Sequence, residues 1–370
     1  MRIAIDLTAL SDNFSGIERY ACEMAKAMLE LGTKDSFILL FKDEVYPDYA
    51  KWADDGRVSM TVIPSKGRSK LVFSQLMLPL VLWKTKADVY LFMAFPAPVL
   101  FSSKRAVSTV HDLSCWDCPQ TMTTKSRLLW RVLDGRAAAG HRLVITISEF
   151  SKERICDFYG KDSSEVTVAY CGIDRGLFDT GTGVGREAEV QQYYGLPERY
   201  VLSLSTIEPR KRLDLLVAAW SQLWDVGAID YDLVLAGRKG WKMDKLLAGV
   251  SDGAQGHIHF TGFVEERDLP VLYRMSDAFV FPSRYEGFGL PPVEAHDSGA
   301  RVLCSDIECL KEICDDKVAY FRDGDVADLE RALTNPRLFD GVSAEPLEYS
   351  WDVEASKVLG LLKGIEETRR

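Results

Sequence analysis

Two glutamates, Glu286 and Glu294, bracket the stretch Gly287-Phe288-Gly289-Leu290-Pro291-Pro292-Val293 directly after the apolar run Ala278–Phe281. Glycines let backbone amides approach a ligand closely. Paired prolines suit the opening of a helix, and a helix N-terminus favours an anion or a sugar hydroxyl. A helix opening near Pro292 puts Glu294 in its first turn, where a carboxylate is favoured electrostatically. Two carboxylates flanking such a loop can each accept hydrogen bonds from a vicinal diol, one on a pyranose and the other on a ribose. The same residues also fit a capped helix with two solvated glutamates. A second chemical signal is Arg210-Lys211, two cations placed just after the strand-like run Tyr200–Leu204.

These residues need a scaffold that brings strand ends together. Short apolar runs alternate with helical stretches along the chain, the pattern of parallel strands buried on both faces. The first series reads Ile3–Leu7, Phe37–Phe41, Val58–Ile63, Val89–Met93, Ala106–Val110, Leu143–Ile147 and Val166–Tyr170. Helical stretches Ile17–Leu31, Leu71–Lys84 and Thr124–Ala139 lie between them. Residues 174–198 are glycine-rich without apolar period and read as a linker. A second series follows: Tyr200–Leu204, Leu233–Ala236, Ile258–Phe263, Ala278–Phe281 and Arg301–Cys304, with helices beginning near Arg210, Met243, Glu266 and Pro292. The expected fold is α/β, two doubly wound Rossmann-like domains facing each other across a cleft. Ligands bind at the carboxyl edges of such sheets. The boundaries expected are 1–175, joined by a C-terminal helix 350–370, and 176–349.

A chain of 370 residues accommodates two such domains. The net charge of −10 argues against nucleic-acid binding, yet the charge is uneven. Residues 1–172 hold 22 basic and 20 acidic side chains, the remainder 23 and 35, and residues 66–142 alone hold twelve and four. One face is therefore expected to meet something anionic. The start, MRIAIDLTAL, reads as a strand rather than a signal peptide, and no apolar run reaches membrane-spanning length, so a cytosolic chain is expected. Within 68–86, basic ends enclose a very apolar middle, a pattern that fits either a buried helix or peripheral docking on an anionic membrane. Cys115 and Cys118 have metal-pair spacing without a second pair, and Cys304, Cys309 and Cys314 are too sparse for zinc, so no metal site is expected.

The Glu286-x7-Glu294 element with GFGLPP, followed by Ala295 to Ala300, resembles the retaining glycosyltransferases of family 4, which have the GT-B fold. Other segments agree in order: Ser203–Lys211 (SLSTIEPRK), Leu235-Ala-Gly-Arg-Lys-Gly-Trp241, His259-Phe-Thr-Gly-Phe263 and Tyr349-Ser-Trp351. In the first half, Gly16-Ile17-Glu18-Arg19-Tyr20 and His111-Asp112-Leu113 match the family's turns. The resemblance spans almost the whole chain, strongest over 200–320 and weakest over 34–104. Arg210 and Lys211, a planar fork and a point charge beside a helix start, suit a diphosphate and can stabilise the charge left on it when the anomeric bond breaks, without a metal. Many family members carry arginine where Ser205 stands, which would leave more phosphate charge to Arg210 and Lys211.

The resemblance implies a hexosyltransferase that moves a sugar from a nucleoside diphosphate sugar to an acceptor hydroxyl with retention. GDP-mannose is the first donor expected, and a lipid-linked saccharide in polysaccharide synthesis the acceptor. His111, Arg210, Lys211 and Glu286 are the expected catalytic residues, with Glu286 at the sugar and Glu294 at the ribose. Gly16, Gly237, Arg238, Gly287, Phe288, Gly289 and Leu290 are expected to complete the donor site. Competing readings are a GT-B sugar-nucleotide epimerase, a phosphorylase and a non-catalytic nucleotide-sugar-binding protein. A dinucleotide fold would want G-x-G-x-x-G after the first strand, where only Gly16 stands.

Overall fold

The computed structural model describes residues 1–11, 16–69, 72–101, 103–237 and 246–367. They form two compact units, one of residues 1–172 with 349–370 and one of residues 173–348. The segment 174–198, expected as a linker, belongs to the second unit. It carries the helix Glu187–Tyr194, closed by Gly195 in the left-handed region and anchored by buried Val190. Arg186 pairs with Asp268 at 2.9 Å, and Tyr194 donates to the same carboxylate. Glycines hid an amphipathic turn whose partners lie about 80 residues downstream.

The first unit is built on a seven-stranded parallel sheet in the order β3-β2-β1-β4-β5-β6-β7. The strands are β1 Arg2–Asp6, β2 Ser36–Lys42, β3 Val58–Ile63, β4 Val89–Phe92, β5 Ala106–Thr109, β6 Leu143–Thr146 and β7 Val166–Val168. β4, β5 and β6 are buried at every position, which is why they read as unbroken apolar runs. The helix Gly16–Glu30 buries Tyr20, Met24 and Met28 and packs against the C-terminal helix Trp351–Glu367. Gly172 fixes this return: a Cβ there would lie 2.3 Å from the Trp351 amide nitrogen, so no larger residue fits.

The second unit carries a six-stranded parallel sheet in the order β10-β9-β8-β11-β12-β13. Its strands are β8 Tyr200–Leu204, β9 Asp232–Ala236, β10 Ile258–Gly262, β11 Ala278–Phe281, β12 Val302–Ser305 and β13 Ala319–Phe321. One core cluster centres on Trp220, fully buried, with its indole donating to the Tyr231 carbonyl at 3.1 Å. β13 was not foreseen: three residues are too few for a period to emerge. Among the described residues, no helix is long and apolar enough to cross a membrane.

Candidate donor-binding site

The strands β8 and β11 are parallel neighbours, so the loops leaving their carboxyl ends emerge side by side. After β8 the chain makes a single 3-10 turn, Pro209–Lys211, and Arg212 then adopts a left-handed conformation at φ 51°. The α-helix starts only at Leu213, so the helix expected at Arg210 begins after the two cations rather than with them. The left-handed Arg212 breaks the path between turn and helix. After β11, Gly289 at φ 98° caps the helix Leu290–Asp297. That helix opens two residues before Pro292, which places Glu294 in its second turn, not its first; Glu294 gains correspondingly less from the helix dipole. The Arg284 amide donates to the Arg210 carbonyl at 3.1 Å and ties the two loops together.

On this frame the side chains of both loops converge. Lys211 Nζ lies 2.6 Å from Glu286 Oε1, and Arg210 Nη1 lies 3.2 Å from Glu286 Oε2. Arg210 Nη1 also donates to the Tyr285 carbonyl at 3.1 Å. Glu208 Oε1 accepts from Arg210 Nε at 3.2 Å and Nη2 at 2.9 Å. The Lys211 ammonium stands 5.2 Å from the centre of the Phe281 ring. Glu286 is 6% exposed. Burial pushes its carboxyl up, but Lys211 and Arg210 outweigh it and hold the group below the usual carboxylate value. For Lys211 the balance differs. Burial, reinforced by Arg210, exceeds what Glu286 returns and holds the ammonium below the ordinary lysine value.

Glu294 is buried, and the Tyr273 hydroxyl donates to its Oε2 at 3.3 Å. Phe288 is buried, its carbonyl accepting from the Cys309 thiol at 3.6 Å. Gly289 is held to glycine by its φ of 98°, and a Cβ would also crowd the Leu310 side-chain end at 2.6 Å. At the end of β9, Gly237 has φ 123° and a Cβ there would lie 2.2 Å from the Ser205 carbonyl oxygen. The β8 and β9 loops therefore touch through backbone alone. Gly237, Arg210, Lys211, Glu286, Gly287, Phe288, Gly289, Leu290 and Glu294 all lie along one edge of the second sheet. Arg238 lies outside the described residues, as does the helix expected near Met243.

The remaining expected residues belong to the first unit. His111 follows β5, and its Nε2 lies 2.7 Å from the Met93 carbonyl at the end of β4. Burial brings its pKa down to about 4, with that carbonyl and Asp112 opposing the shift. The ring is thus neutral at physiological pH, with Nε2 committed to the backbone and Nδ1 left as acceptor. Tyr20 meets the imidazole edge-on at 5.1 Å. Asp112 accepts from the Ser114 amide at 2.8 Å and braces the turn after the histidine. Gly16 opens its helix, and a Cβ there would meet nothing within 4 Å, so packing does not demand glycine.

Glu208 and Tyr273 went unassigned from sequence. Glu208 stands two residues before Arg210 in the quoted SLSTIEPRK segment, and that spacing was the available signal. Nothing local marks Tyr273, which reaches Glu294 only because the helix Leu269–Met275 packs on Leu290–Asp297. Among the described residues, no three His, Cys, Asp or Glu side chains gather as a metal would require, and none of the eight cysteines forms a disulfide.

Residues 14–177 match the family described as Glycosyltransferase Family 4, and residues 188–335 match Glycosyl transferases group 1. The O-antigen chain mannosyltransferase B of Escherichia coli is 31% identical over 275 residues, 72% of this chain and 66% of that protein. The serotype-specific mannosyltransferase WbdA of the same organism is 33% identical over 55% of this chain, but only 28% of its own length. This chain thus spans just under two thirds of the first relative and little over a quarter of the second. The O-antigen chain mannosyltransferase RfbU of Salmonella typhimurium is 24% identical over 92% of both chains. Among solved structures, a sucrose-phosphate synthase from Thermosynechococcus elongatus superposes with a TM-score of 0.73 at 18% identity over 99% of each chain. Anabaena HepE in complex with UDP and glucose gives 0.67 at 18% identity over 100% of this chain and 99% of that one.

Proposed function

We propose, since the chain belongs to the glycosyltransferases of family 4 and has the GT-B fold, that it transfers mannose from a nucleoside diphosphate sugar to a saccharide hydroxyl. The observation that carries this reading is the part-buried Arg210–Lys211 pair closed over buried Glu286 at the ends of β8 and β11. Two cations in so dry a setting can take up the charge that develops on the leaving diphosphate, and no metal is then needed. Glu286 would face the transferred sugar and Glu294 the ribose, with Gly237, Arg238 and Gly287 to Leu290 shaping the donor pocket. His111 and Gly16 would serve the same reaction from the first unit. Mannose is favoured by the names of the relatives, whereas HepE was solved with UDP and glucose, so the base stays a matter for experiment. Family membership supports retention of the anomeric configuration. The test is nucleoside diphosphate release, with and without EDTA, from GDP-mannose and UDP-glucose in the presence of a mannose-ended acceptor. The one-bond carbon–proton coupling at the product's anomeric centre, read by NMR, reports the stereochemistry. No release from either donor would overturn the reading.

We also propose that the acceptor is presented at a membrane. On 72–84 one face buries Phe73, Leu78 and Leu82 while the other exposes Leu76, Leu80 and Trp83, the tryptophan at 59%. The helix Thr124–Gly140 exposes Leu128, Leu129 and Val132. The loop between connects both: the Val99 amide donates to Gln75 at 2.8 Å, and Arg136 donates to the Val99 carbonyl. The four carboxylates of 66–142 are engaged or buried: Asp88 with the Arg2 amide, Asp112 with Ser114, Asp117 with Arg154, and Asp134 inside. An exposed apolar face among basic side chains suits anionic lipid. Co-sedimentation with phosphatidylglycerol vesicles should fall several-fold in Leu80→Ser/Trp83→Ser, and equal binding would remove this surface.

A further inference from the structure

We propose that Glu286 is the resident counter-ion of the phosphate subsite and makes tight diphosphate binding conditional on an attached sugar. The inference rests on reading Arg210 and Lys211 as the phosphate holders and adds a selectivity to that site. Its basis is how completely the cations are already satisfied. Each guanidinium nitrogen of Arg210 has a protein acceptor: Nε and Nη2 on Glu208, Nη1 on Glu286 and Tyr285. Lys211 Nζ is held by the other Glu286 oxygen. A diphosphate that approaches Arg210 and Lys211 from the side of Glu286 therefore competes with that carboxylate for both cations.

The displaced carboxylate has nowhere cheap to go. Glu286 is almost fully buried, and a buried charge stripped of its partners costs several kcal/mol. The arriving phosphates also repel it at short range. A sugar on the diphosphate reverses this, because its hydroxyls can donate to the freed carboxylate and restore two charge-assisted bonds. An intact donor thus repays the displacement that it causes. A bare nucleoside diphosphate, which is the product, does not. The site built this way discriminates donor from product through one carboxylate and resists inhibition by its own leaving group. Glu208 plays a different part. It grips the two guanidinium nitrogens farthest from Glu286, so Arg210 stays aimed when Glu286 lets go.

The test is titration calorimetry of the full chain with inorganic pyrophosphate, GDP, UDP and GDP-mannose. Glu286→Gln keeps the size and polarity of the side chain and removes its charge. It should bind pyrophosphate and GDP about tenfold more tightly than the parent, the change expected when one competing charge-assisted bond is released, while turnover falls at least a hundredfold. Glu286→Asp, too short to reach both cations, should tighten pyrophosphate by a smaller factor, and it carries the test should the glutamine variant fail to fold by circular dichroism. Equal or weaker binding of pyrophosphate and GDP by the folded variants overturns the counter-ion role. A Glu286 that merely braces the loop would weaken all four ligands together, which overturns it as well. Failure of the underlying reading looks different: the parent chain would bind none of these ligands, or Lys211→Ala would bind them unchanged.

Discussion

At the edge of the first sheet burial shifts His111 and Asp6 toward their uncharged forms, whereas at the edge of the second Glu286 is shifted toward its charged form. Desolvation is the largest influence on His111, Asp6 and Glu286 alike. What differs is the supply of counter-ions. His111 has a backbone carbonyl and Asp112 nearby, Asp6 has, among the described residues, the amide and hydroxyl of Thr8, and burial wins in both: the imidazole is brought down to about 4 and the aspartate is raised. Glu286 has Lys211 and Arg210, and there the charges win. An edge that offers neutral donors and acceptors suits uncharged hydroxyls. An edge that stores paired charge suits a ligand able to exchange one anion for another. Burial alone therefore does not tell what a site can bind; the partners brought into the burial do.

The contrast can be broken most forcefully at Lys211. Lys211→Ala should lower kcat by about 10²–10³, the usual loss when a preorganised electrostatic contact to a leaving group is removed. Near-normal turnover in a folded variant would mean that the charged edge stores ions for stability only.

A second effect separates the edges by pH. The folded value of His111, about 4, lies below the ordinary value of 6.5. Between those values the unfolded chain binds a proton that the folded chain refuses, so its contribution is full above pH 6.5 and is lost as pH falls toward 4. The whole interval corresponds to at most about 3 kcal/mol. His141, brought to about 4 by burial with Lys161 and Arg136 nearby, adds to the same window. Glu286, held below 4.5, contributes stability that is lost only at pH below that value. Hydrogen exchange at pH 5 should therefore show β5 and β6 loosened before β8 and β11, and His111→Phe should reduce the difference. Simultaneous loosening of both sheets would contradict the assignment of neutral and charged edges.

The smallest effect tests how far the charged edge extends. Tyr273→Phe removes one hydrogen bond to Glu294, worth about 1 kcal/mol, and should raise the donor KM several-fold with kcat unchanged. A matching fall in kcat would assign Glu294 to the reacting sugar rather than to uniform binding.

Much of this was legible in the residues. Parallel strands buried on both faces announce themselves as unbroken apolar runs, as β4, β5 and β6 do, while the edge strands β3 and β10 carry polar residues; twelve of the thirteen strands among the described residues lie where strands were expected. Gly289 was legible as a place where the backbone must be free, but not as the left-handed residue that precedes the helix Leu290–Asp297. The start of the helix at Leu213 could not, because it depends on Arg212 taking a conformation that glycine usually supplies. The glycine-rich segment 174–198 looked slack since the partners of Arg186 and Tyr194 meet only at Asp268. For the site, residue types and order indicated which groups belong together. That Lys211 and Glu286 are bonded to each other, and that the His111 Nε2 is spent on Met93, are facts of three dimensions.

One more consequence follows from Gly172 and Trp351. The first unit is closed by the helix Trp351–Glu367, made after residues 173–348, which are an uninterrupted stretch. During synthesis from the N-terminus the ordinary order, in which the earlier domain folds first, is therefore inverted. The second unit is complete in sequence while the first still awaits the helix that covers Tyr20 and Met24. A released fragment ending at residue 348 would carry a complete second unit and a first unit whose uncovered apolar helix Gly16–Glu30 is the surface a chaperone would meet.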